Sequence, residues 1–232
     1  MRLGVLDVGS NTVHLQVMDT HPGARPNPTF NYKEELRLTQ YLNDSHEINT
    51  EGIAQLRLTI KRAIDEANSV KTDELLPFAT SALREAKNGN EIIKSINKDF
   101  HIDLQVLPGE EEAKLTFLAA RRWFGWSAGR LLMIDIGGGS TEFVFGHRNV
   151  EAAKSVNIGC VRMTERHFVN DPASKSEIEA ARIDIQRAIS NAAEVVDIKA
   201  AKSLIAVAGT ATTVAAAALK LESYDRYAIH LS

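Results

Sequence analysis

The sequence predicts an α/β protein built from two copies of one domain, and two observations carry that prediction. Short apolar runs of strand length alternate with longer segments of helical periodicity, which is typical of α/β domains. A strand–turn–strand unit at the N-terminus, LDVGSNT, returns in the second half of the chain as IDIGGGST. Both units place Asp-x-Gly where the first strand ends and a hydroxyl in the turn. A repeat of this size indicates a duplicated domain.

The first copy begins with a hairpin, because Val13, Leu15 and Val17 alternate with polar or larger neighbours after the turn. A loop rich in proline (Pro22, Pro26 and Pro28) separates this hairpin from the next strand. The predicted elements are strands at Leu3–Val8, Thr12–Met18, Asn31–Leu38, Leu75–Ala79 and Leu104–Leu107, and helices at Thr50–Asn68, Glu91–Phe100 and Glu110–Phe124.

The second copy repeats this order from residue 125, so we predict domains at 1–124 and 125–232. Its predicted elements are a hairpin at Leu131–Gly146, strands at Ala153–Asn157 and Leu204–Ala208, a helix at Ser176–Val195 and, after a Gly209-Thr210 turn, a helix ending at Leu219. It stops one strand–helix unit before the first copy does. We therefore expect the second domain to be incomplete at its C-terminus and Ser232 not to be its natural end.

Composition narrows the class of protein. With 232 residues, 44% hydrophobic and 25% charged, the chain can bury a substantial core. A net charge of −3 excludes proteins that coat nucleic acid through charge, so no nucleic-acid partner is expected. The single cysteine, Cys160, excludes an internal disulfide and favours a reducing compartment. No apolar run of about 18 residues occurs, and no signal-peptide core precedes Asp7, so we predict a cytoplasmic protein without a membrane partner.

The two turns are suited to phosphate. Consecutive backbone N–H groups in Gly/Ser turns form concavities that bind anions, and glycine lets the backbone approach closely. One Asp-x-Gly is as readily an ordinary turn, but two copies favour a ligand. Asp7, Asp135 and Glu142 would repel a bare phosphate, so a divalent cation is expected, and Mg²⁺ suits such oxygen ligands.

The paired loops, together with AVAGTATT at residues 206–213, resemble the superfold of actin, sugar kinases and chaperone ATPases. ATSALR from Ala79, PGEEEA from Pro108 and GCVRMTE from Gly159 narrow the resemblance to the exopolyphosphatase/guanosine pentaphosphate phosphatase (Ppx/GppA) family. The resemblance implies two actin-like (ribonuclease H-like) domains around an interdomain cleft. It implies hydrolysis of a terminal phosphate of inorganic polyphosphate or of pppGpp with Mg²⁺ or Mn²⁺, and it suggests a homodimer.

The resemblance also assigns roles to residues. It implies that Arg84 grips the phosphate, that Glu112 is the catalytic base, and that Asp135, Glu142 and Asp7 lie near the metal. The phosphate-binding positions it implies, besides Arg84, are Ser10, Asn11, Thr12, Gly137, Gly138, Gly139, Ser140, Thr141, Gly209 and Thr210.

The choice of Glu112 depends on that resemblance. Glu110, Glu111 and Glu112 all lie at a helix start, where acids simply stabilise the helix dipole. Successive residues project about 100° apart, so only one of the three can face a given water. A glutamate with its ordinary pKa of about 4.3 is a weak base at neutral pH, and burial near other carboxylates would raise that value.

Other chemistries stay open at this point. An ATP-dependent small-molecule kinase or a non-catalytic polyphosphate or nucleotide sensor could share the fold, although Glu112 and Arg84 argue for hydrolysis. His14 is expected to be a solvated or packed side chain, and Arg121, Arg122 and Trp123 are expected to end a helix. The basic residues Lys61, Arg62 and Lys154 are too scattered to define a track for a long polyanion.

Overall fold

The computed structural model describes residues 1–21 and 27–219, which form two compact units that divide after Pro108. The predicted loop prolines Pro22 and Pro26 lie outside these ranges, and Pro28 lies inside them. No helix within the described ranges has both the length and the apolar character needed to cross a membrane.

The first unit is a five-stranded sheet with helices packed on it. The strands are β1 (Arg2–Val8), β2 (Thr12–Asp19), β3 (Phe30–Glu35), β4 (Glu74–Ala79) and β5 (Gln105–Val106), and the helices are α1 (Thr50–Ser69), α2 (Ser81–Glu85) and α3 (Gly89–Phe100). The strand order is β3-β2-β1-β4-β5, in which β1, β2 and β3 are antiparallel neighbours and β4 and β5 run parallel to β1.

The core of this unit follows the period-two alternation of the hairpin. Val13, Leu15 and Val17 are fully buried and share one cluster with Leu56 and Ile60 of α1. Asn49 caps α1, because its side chain accepts a hydrogen bond of 2.8 Å from the Gly52 amide. The predicted third strand ends early, at Glu35, because a 3₁₀ turn forms at Leu38–Tyr41.

The second unit contains a four-stranded sheet. The strands are β6 (Leu131–Ile136), β7 (Thr141–Gly146), β8 (Val150–Val156) and β9 (Ser203–Val207), and the helices are α4 (Gly109–Phe124), α5 (Cys160–His167), α6 (Lys175–Ala193) and α7 (Ala208–Leu219). The strand order is β8-β7-β6-β9, in which β6, β7 and β8 are antiparallel neighbours and β9 runs parallel to β6.

Helix α4 packs on the second sheet, although the sequence placed it at the end of the first domain. Its buried residues Ala113 and Phe117 share a core with Met133 and Val144 of that sheet. The division between the compact units therefore lies between Pro108 and Gly109, where the sequence predicted a boundary at 124/125. The physical reason is that the apolar face of α4 is covered by β6, β7 and β8.

The two sheets repeat one arrangement, and this confirms the predicted α/β class and duplication. In each unit an antiparallel hairpin carries a third antiparallel strand on one side and a parallel strand on the other, as in ribonuclease H-like domains. The register also repeats: Asp7 of β1 lies opposite His14 of β2, and Asp135 of β6 lies opposite Glu142 of β7.

Candidate active site

The two loops that the sequence predicts to bind phosphate are called the first and second phosphate loops. The first, Gly9 to Thr12, connects β1 to β2 and is held by the chain that follows β3. The Gly9 amide donates to the Thr12 carbonyl at 3.0 Å. The Asn11 carbonyl accepts from the amides of Leu36 at 2.7 Å and Arg37 at 3.0 Å. These bonds fix the loop by its carbonyls before any ligand binds.

Ser10 joins this loop to the helix that carries Arg84. Its buried hydroxyl lies 2.6 Å from the hydroxyl of Ser81, the first residue of α2. Arg84 is in the last turn of α2, and its Nη1 donates to the Leu107 carbonyl at 2.7 Å. The structure thus links the helix that carries Arg84 to the first loop through Ser81, while the Ser10 hydroxyl itself is engaged inside the protein.

Asp7 precedes the loop and keeps an exposed side chain at the end of β1. Protein atoms that crowd the carboxyl remove part of its hydration and raise the pKa of Asp7, while the charge of His14 opposes this shift. His14 Nε2 lies 2.7 Å from Asn31 Oδ1, on the polar side of β2 as the sequence predicted.

The side chain of Asn11 has an acceptor end, Oδ1, and a donor end, Nδ2, and only the donor end suits the predicted phosphate contact. Its Oδ1 is buried and has no hydrogen-bond partner among the described residues. A carbonyl oxygen accepts hydrogen bonds or binds cations, so Oδ1 itself cannot bind a phosphate oxygen. This orphaned atom is better suited to a hydrated cation or to a donor on the ligand.

The second phosphate loop, Gly137 to Ser140, connects β6 to β7 and is bound to the start of α5. The Gly137 carbonyl accepts from the Cys160 amide at 2.9 Å, and the Gly138 carbonyl accepts from the Val161 amide at 3.0 Å. The Gly139 carbonyl accepts from the Gly159 amide at 3.2 Å. All three glycine carbonyls therefore point toward one helix N-terminus.

This orientation leaves the amides of the loop available to a ligand. Among the described residues, the backbone N–H groups of Gly138, Gly139 and Ser140 have no acceptor. Three consecutive amides without an acceptor supply the donors that an anion-binding loop needs. The Thr141 hydroxyl, by contrast, donates to the Ile158 carbonyl at 3.2 Å and so supports the loop.

Two residues that hold the second loop were missed as site residues by sequence reasoning. A Cβ atom on Gly159 would overlap the Gly138 carbonyl, so only glycine fits there. Arg162 Nε donates to the Gly139 carbonyl at 2.7 Å and places a positive charge beside the loop. Both lie in GCVRMTE, but α5 is only eight residues long and was too short to be recognised by its periodicity.

Gly209 and Thr210 lie in the first turn of α7, not in a turn before it as predicted. The Thr210 hydroxyl donates to the half-buried Cys160 Sγ at 3.2 Å. Since the Cys160 amide binds the Gly137 carbonyl, α7 is linked to the second loop through this cysteine. Gly209 has open space around the position of a Cβ atom.

Asp135 and Glu142 face each other across β6 and β7 on the side of the sheet that α4 covers. Met133 and Val144, two residues away along each strand, are buried against α4. Glu142 is 3% exposed, and its Oε1 accepts a hydrogen bond of 2.8 Å from the Ser155 hydroxyl. Two opposed carboxylates repel each other, and a divalent cation relieves that repulsion.

Arg121 orients α4 along the sheet. Its buried guanidinium donates to the carbonyls of Gly125, Gly129 and His147, which lie near the start of β6 and the end of β7. The C-terminal end of α4 is thereby fixed beside the start of β6 and the end of β7. The N-terminal end of α4, which carries Glu112, extends toward the other ends of these two strands.

The lengths of helix α4 and strand β6 agree with this placement of Glu112. Glu112 precedes Arg121 by a helical span of about 13 Å, and Asp135 follows Leu131 by a strand span of about 13 Å. Glu112 is half-buried, whereas Glu110 and Glu111 are exposed and Glu111 binds Lys114 at 2.7 Å. Burial thus distinguishes the glutamate that the resemblance selects.

The donors present suit a hydrated metal better than a fully enclosed one. Within the described ranges no group of three or more His, Cys, Asp or Glu side chains converges as a metal site. Mg²⁺ often keeps several waters and takes only one or two carboxylates, which Asp135 and Glu142 could supply. The residues therefore fit such an ion.

Two related units, each with a turn between an Asp-bearing strand and its antiparallel partner, define a duplicated α/β protein. A sequence profile described as the Ppx/GppA phosphatase family matches residues 16–230, and the chain belongs to that family.

Known relatives agree with this assignment. Exopolyphosphatase 1 of Mycobacterium tuberculosis is 45% identical over 183 residues, which are 78% of this chain and 53% of the relative. Exopolyphosphatase 2 of the same species is 30% identical, and the alignment covers 100% of this chain and 75% of the relative. The chain thus spans about half the length of the first of these relatives.

Solved structures show the same fold. A crystal structure of an exopolyphosphatase-like protein matches with a TM-score of 0.86 and 32% identity, over 97% of this chain and 72% of the other. An exopolyphosphatase from Cytophaga hutchinsonii matches with a TM-score of 0.85 and 25% identity, over 97% and 73%.

Proposed function

We propose that this chain is the phosphate-binding and catalytic part of an exopolyphosphatase, which hydrolyses the terminal phosphate of inorganic polyphosphate. The observation that carries the proposal is in the second unit, where three unengaged amides of one loop lie beside the Asp135–Glu142 pair. The names of the relatives support polyphosphate as the substrate.

In the proposed reaction the loop amides, Arg84 and Glu112 have different roles. The amides of the second phosphate loop hold the terminal phosphate and stabilise charge as it develops on the phosphate oxygens. The family resemblance implies the same role for the Arg84 guanidinium of the first unit. Glu112 accepts a proton from a water molecule, whose oxygen forms a bond to the terminal phosphorus. The bond from that phosphorus to the bridging oxygen breaks, which gives orthophosphate and a chain shorter by one phosphate.

A divalent cation is part of the proposal, and Mg²⁺ or Mn²⁺ fits the oxygen donors. Asp135 and Glu142 would hold it, and the family resemblance also implies that Asp7 lies near the metal. When bound, the cation supplies positive charge that offsets the phosphate oxygens.

Hydrolysis of the terminal 5′-phosphate of pppGpp is the second candidate, because the name of the family joins Ppx with GppA. It needs the same loops and base. Two of the basic side chains considered for long polyphosphate are engaged in ion pairs: Lys61 pairs with Asp65, and Arg62 pairs with Glu34.

Phosphate release from polyphosphate, pppGpp and ATP, each with Mg²⁺, with Mn²⁺ and with EDTA, tests the proposal. We expect release from polyphosphate that requires the cation. Faster release from pppGpp would favour the second candidate, and transfer of phosphate to an added small-molecule acceptor would indicate a kinase. Binding without any release would contradict hydrolysis and indicate a sensor. A homodimer and a cytoplasmic location belong to the same proposal, and sedimentation analysis tests the first.

A further inference from the structure

A polar groove lies outside both phosphate loops, at the end of β8 beside helices α5 and α6. Its volume is about 390 Å³. The polar side chains that line it are Ser155, Asn157, Arg166, Asp184, Arg187 and Asn191. None of these touches the phosphate or the water in the reaction proposed above, and only Ser155 contacts a residue that has a role there, Glu142.

Asp184 organises the cations of this groove. Its Oδ2 lies 3.3 Å from Arg166 Nη1 and 3.0 Å from His167 Nε2, and its Oδ1 lies 3.4 Å from Arg187 Nη1. The hydrogen bonds from His167 and Arg166 hold the pKa of Asp184 below its ordinary value, so the carboxyl is ionised. One carboxylate therefore orients two guanidinium groups along the same groove.

The groove has more hydrogen-bond donors than the fold uses. A guanidinium carries five N–H donors, and Arg166 and Arg187 each reach Asp184 through one nitrogen at long distance. Their side chains are 46% and 70% exposed, so the remaining donors are accessible. The side-chain amides of Asn157 and Asn191 have no hydrogen-bond partner among the described residues.

Charge and geometry select the class of ligand. Two arginines against one aspartate leave a positive surplus, and guanidinium groups match the oxygens of phosphate in pairs. Amide N–H groups add neutral donors to further oxygens. We propose that this groove binds a phosphate-type oxyanion, either free orthophosphate or a phosphate unit of a polyphosphate chain. The proposal goes beyond the proposed function, because such binding needs neither Glu112 nor the phosphate loops.

One wall of the groove also supports the acidic pair Asp135–Glu142. Ser155, in its wall, is the residue whose hydroxyl donates to Glu142. An anion held by Arg166 and Arg187 would therefore bind against the same strand that supports Glu142.

Nuclear magnetic resonance titration of the wild-type protein tests this site directly. Orthophosphate and tripolyphosphate are added separately in the presence of EDTA, with sodium chloride at matched ionic strength as the reference. We expect shifts of the Asn157 and Asn191 side-chain amides with both phosphates. Tighter binding of tripolyphosphate would identify a chain unit as the ligand, and equal or tighter binding of orthophosphate would identify the free ion.

Variants separate the groove from the phosphate loops. Replacing both arginines (Arg166→Gln with Arg187→Gln) should weaken binding at the groove amides by about tenfold or more, while shifts at the second phosphate loop persist. Asn191→Asp, which keeps the arginine–aspartate contacts, should weaken binding in the same direction. Arg182→Gln is the control, because Arg182 is an exposed arginine of α6 that pairs with Glu179 and does not line the groove.

Three outcomes of the titration would overturn the proposal. Groove amides that do not shift, that shift as much with chloride, or that shift equally in Asn191→Asp would exclude an oxyanion site. Since the readout is binding at the groove and needs no turnover, failure of this site and failure of the proposed activity are distinguishable.

Discussion

Gly159, the N-cap of α5, lies against Gly138 of the second phosphate loop so closely that a Cβ atom would overlap the Gly138 carbonyl. This contact lets the amides of residues 159–162 reach the carbonyls of the loop. Because the carbonyls are turned toward α5, the loop amides are presented on the opposite side. The shape of the proposed phosphate site thus depends on a residue outside the loop.

Gly159→Ala is expected to damage both the fold and the site. Relief of the overlap must move the loop or α5, with a cost of about 1–3 kcal/mol in the free energy of unfolding, and phosphate release should fall. Thermal unfolding and turnover measure the two effects. Gly209→Ala is the stability control, since a Cβ atom there meets nothing within 4 Å. A Gly159→Ala protein as stable and active as the wild type would contradict the steric argument.

Glu112→Gln should lower kcat by about 10²–10⁴-fold, because an amide cannot accept the proton from water. Substrate binding should change little. The matched control is Glu111→Gln, which removes one charge from the same helix turn at an exposed residue. Unchanged turnover in Glu112→Gln, or an equal loss in Glu111→Gln, would remove Glu112 from the role of base.

Arg84→Ala should raise KM by about tenfold to a hundredfold and also lower kcat, since the guanidinium binds phosphate in the ground state and in the transition state. Arg84→Lys should recover part of the charge but not the paired geometry. Lys61→Ala is the charge control, because Lys61 pairs with Asp65 on the exposed side of α1. A defect confined to kcat would argue against a phosphate grip.

Asp135→Asn should raise the Mg²⁺ concentration for half-maximal activity by about tenfold or more, because one of two opposed carboxylates loses its charge. Mn²⁺ binding, measured by electron paramagnetic resonance, should weaken in parallel without any need for turnover. Asp65→Asn removes an exposed aspartate elsewhere and should leave both values as they are. An unaltered metal requirement in Asp135→Asn would place the cation on other residues.

Glu177 gives a prediction for the dependence of stability on pH. It forms a capping box with Ser174, and hydrogen bonds from the chain at Ser174 and Val169 hold its pKa at about 2, below the ordinary 4.5. A lowered pKa in the folded state adds stability at pH values above the unfolded value, and that stability is lost as the pH falls.

Glu177→Gln should therefore melt below the wild type at neutral pH, and the difference should shrink as the pH falls from 4.5 toward 2. Thermal unfolding across this range measures it. Glu179→Gln, an exposed neighbour paired with Arg182, should show no such trend. A melting difference that stays constant with pH would show that the charge of Glu177 is not the cause.

Local pattern was sufficient for the strands and long helices of this protein. The alternation of Val13, Leu15 and Val17 predicted β2, and the segment Thr50–Asn68 was observed as Thr50–Ser69. These elements follow from which side chains must be buried, and that is written in the spacing of apolar residues. Short α2 and α5 have too few turns to show a period, so they became visible only in three dimensions.

The sequence by itself determined the α/β class, the duplication and the two Asp-x-Gly turns, because strand alternation and turn chemistry are local properties. Only the tertiary structure decided that α4 packs on the second sheet, that Glu112 is the half-buried member of its acidic triplet, and that α5 binds the glycine carbonyls of the second loop. These facts depend on contacts between residues distant in the chain. No local pattern encodes them, since each is set by the neighbour that covers a face or accepts a hydrogen bond.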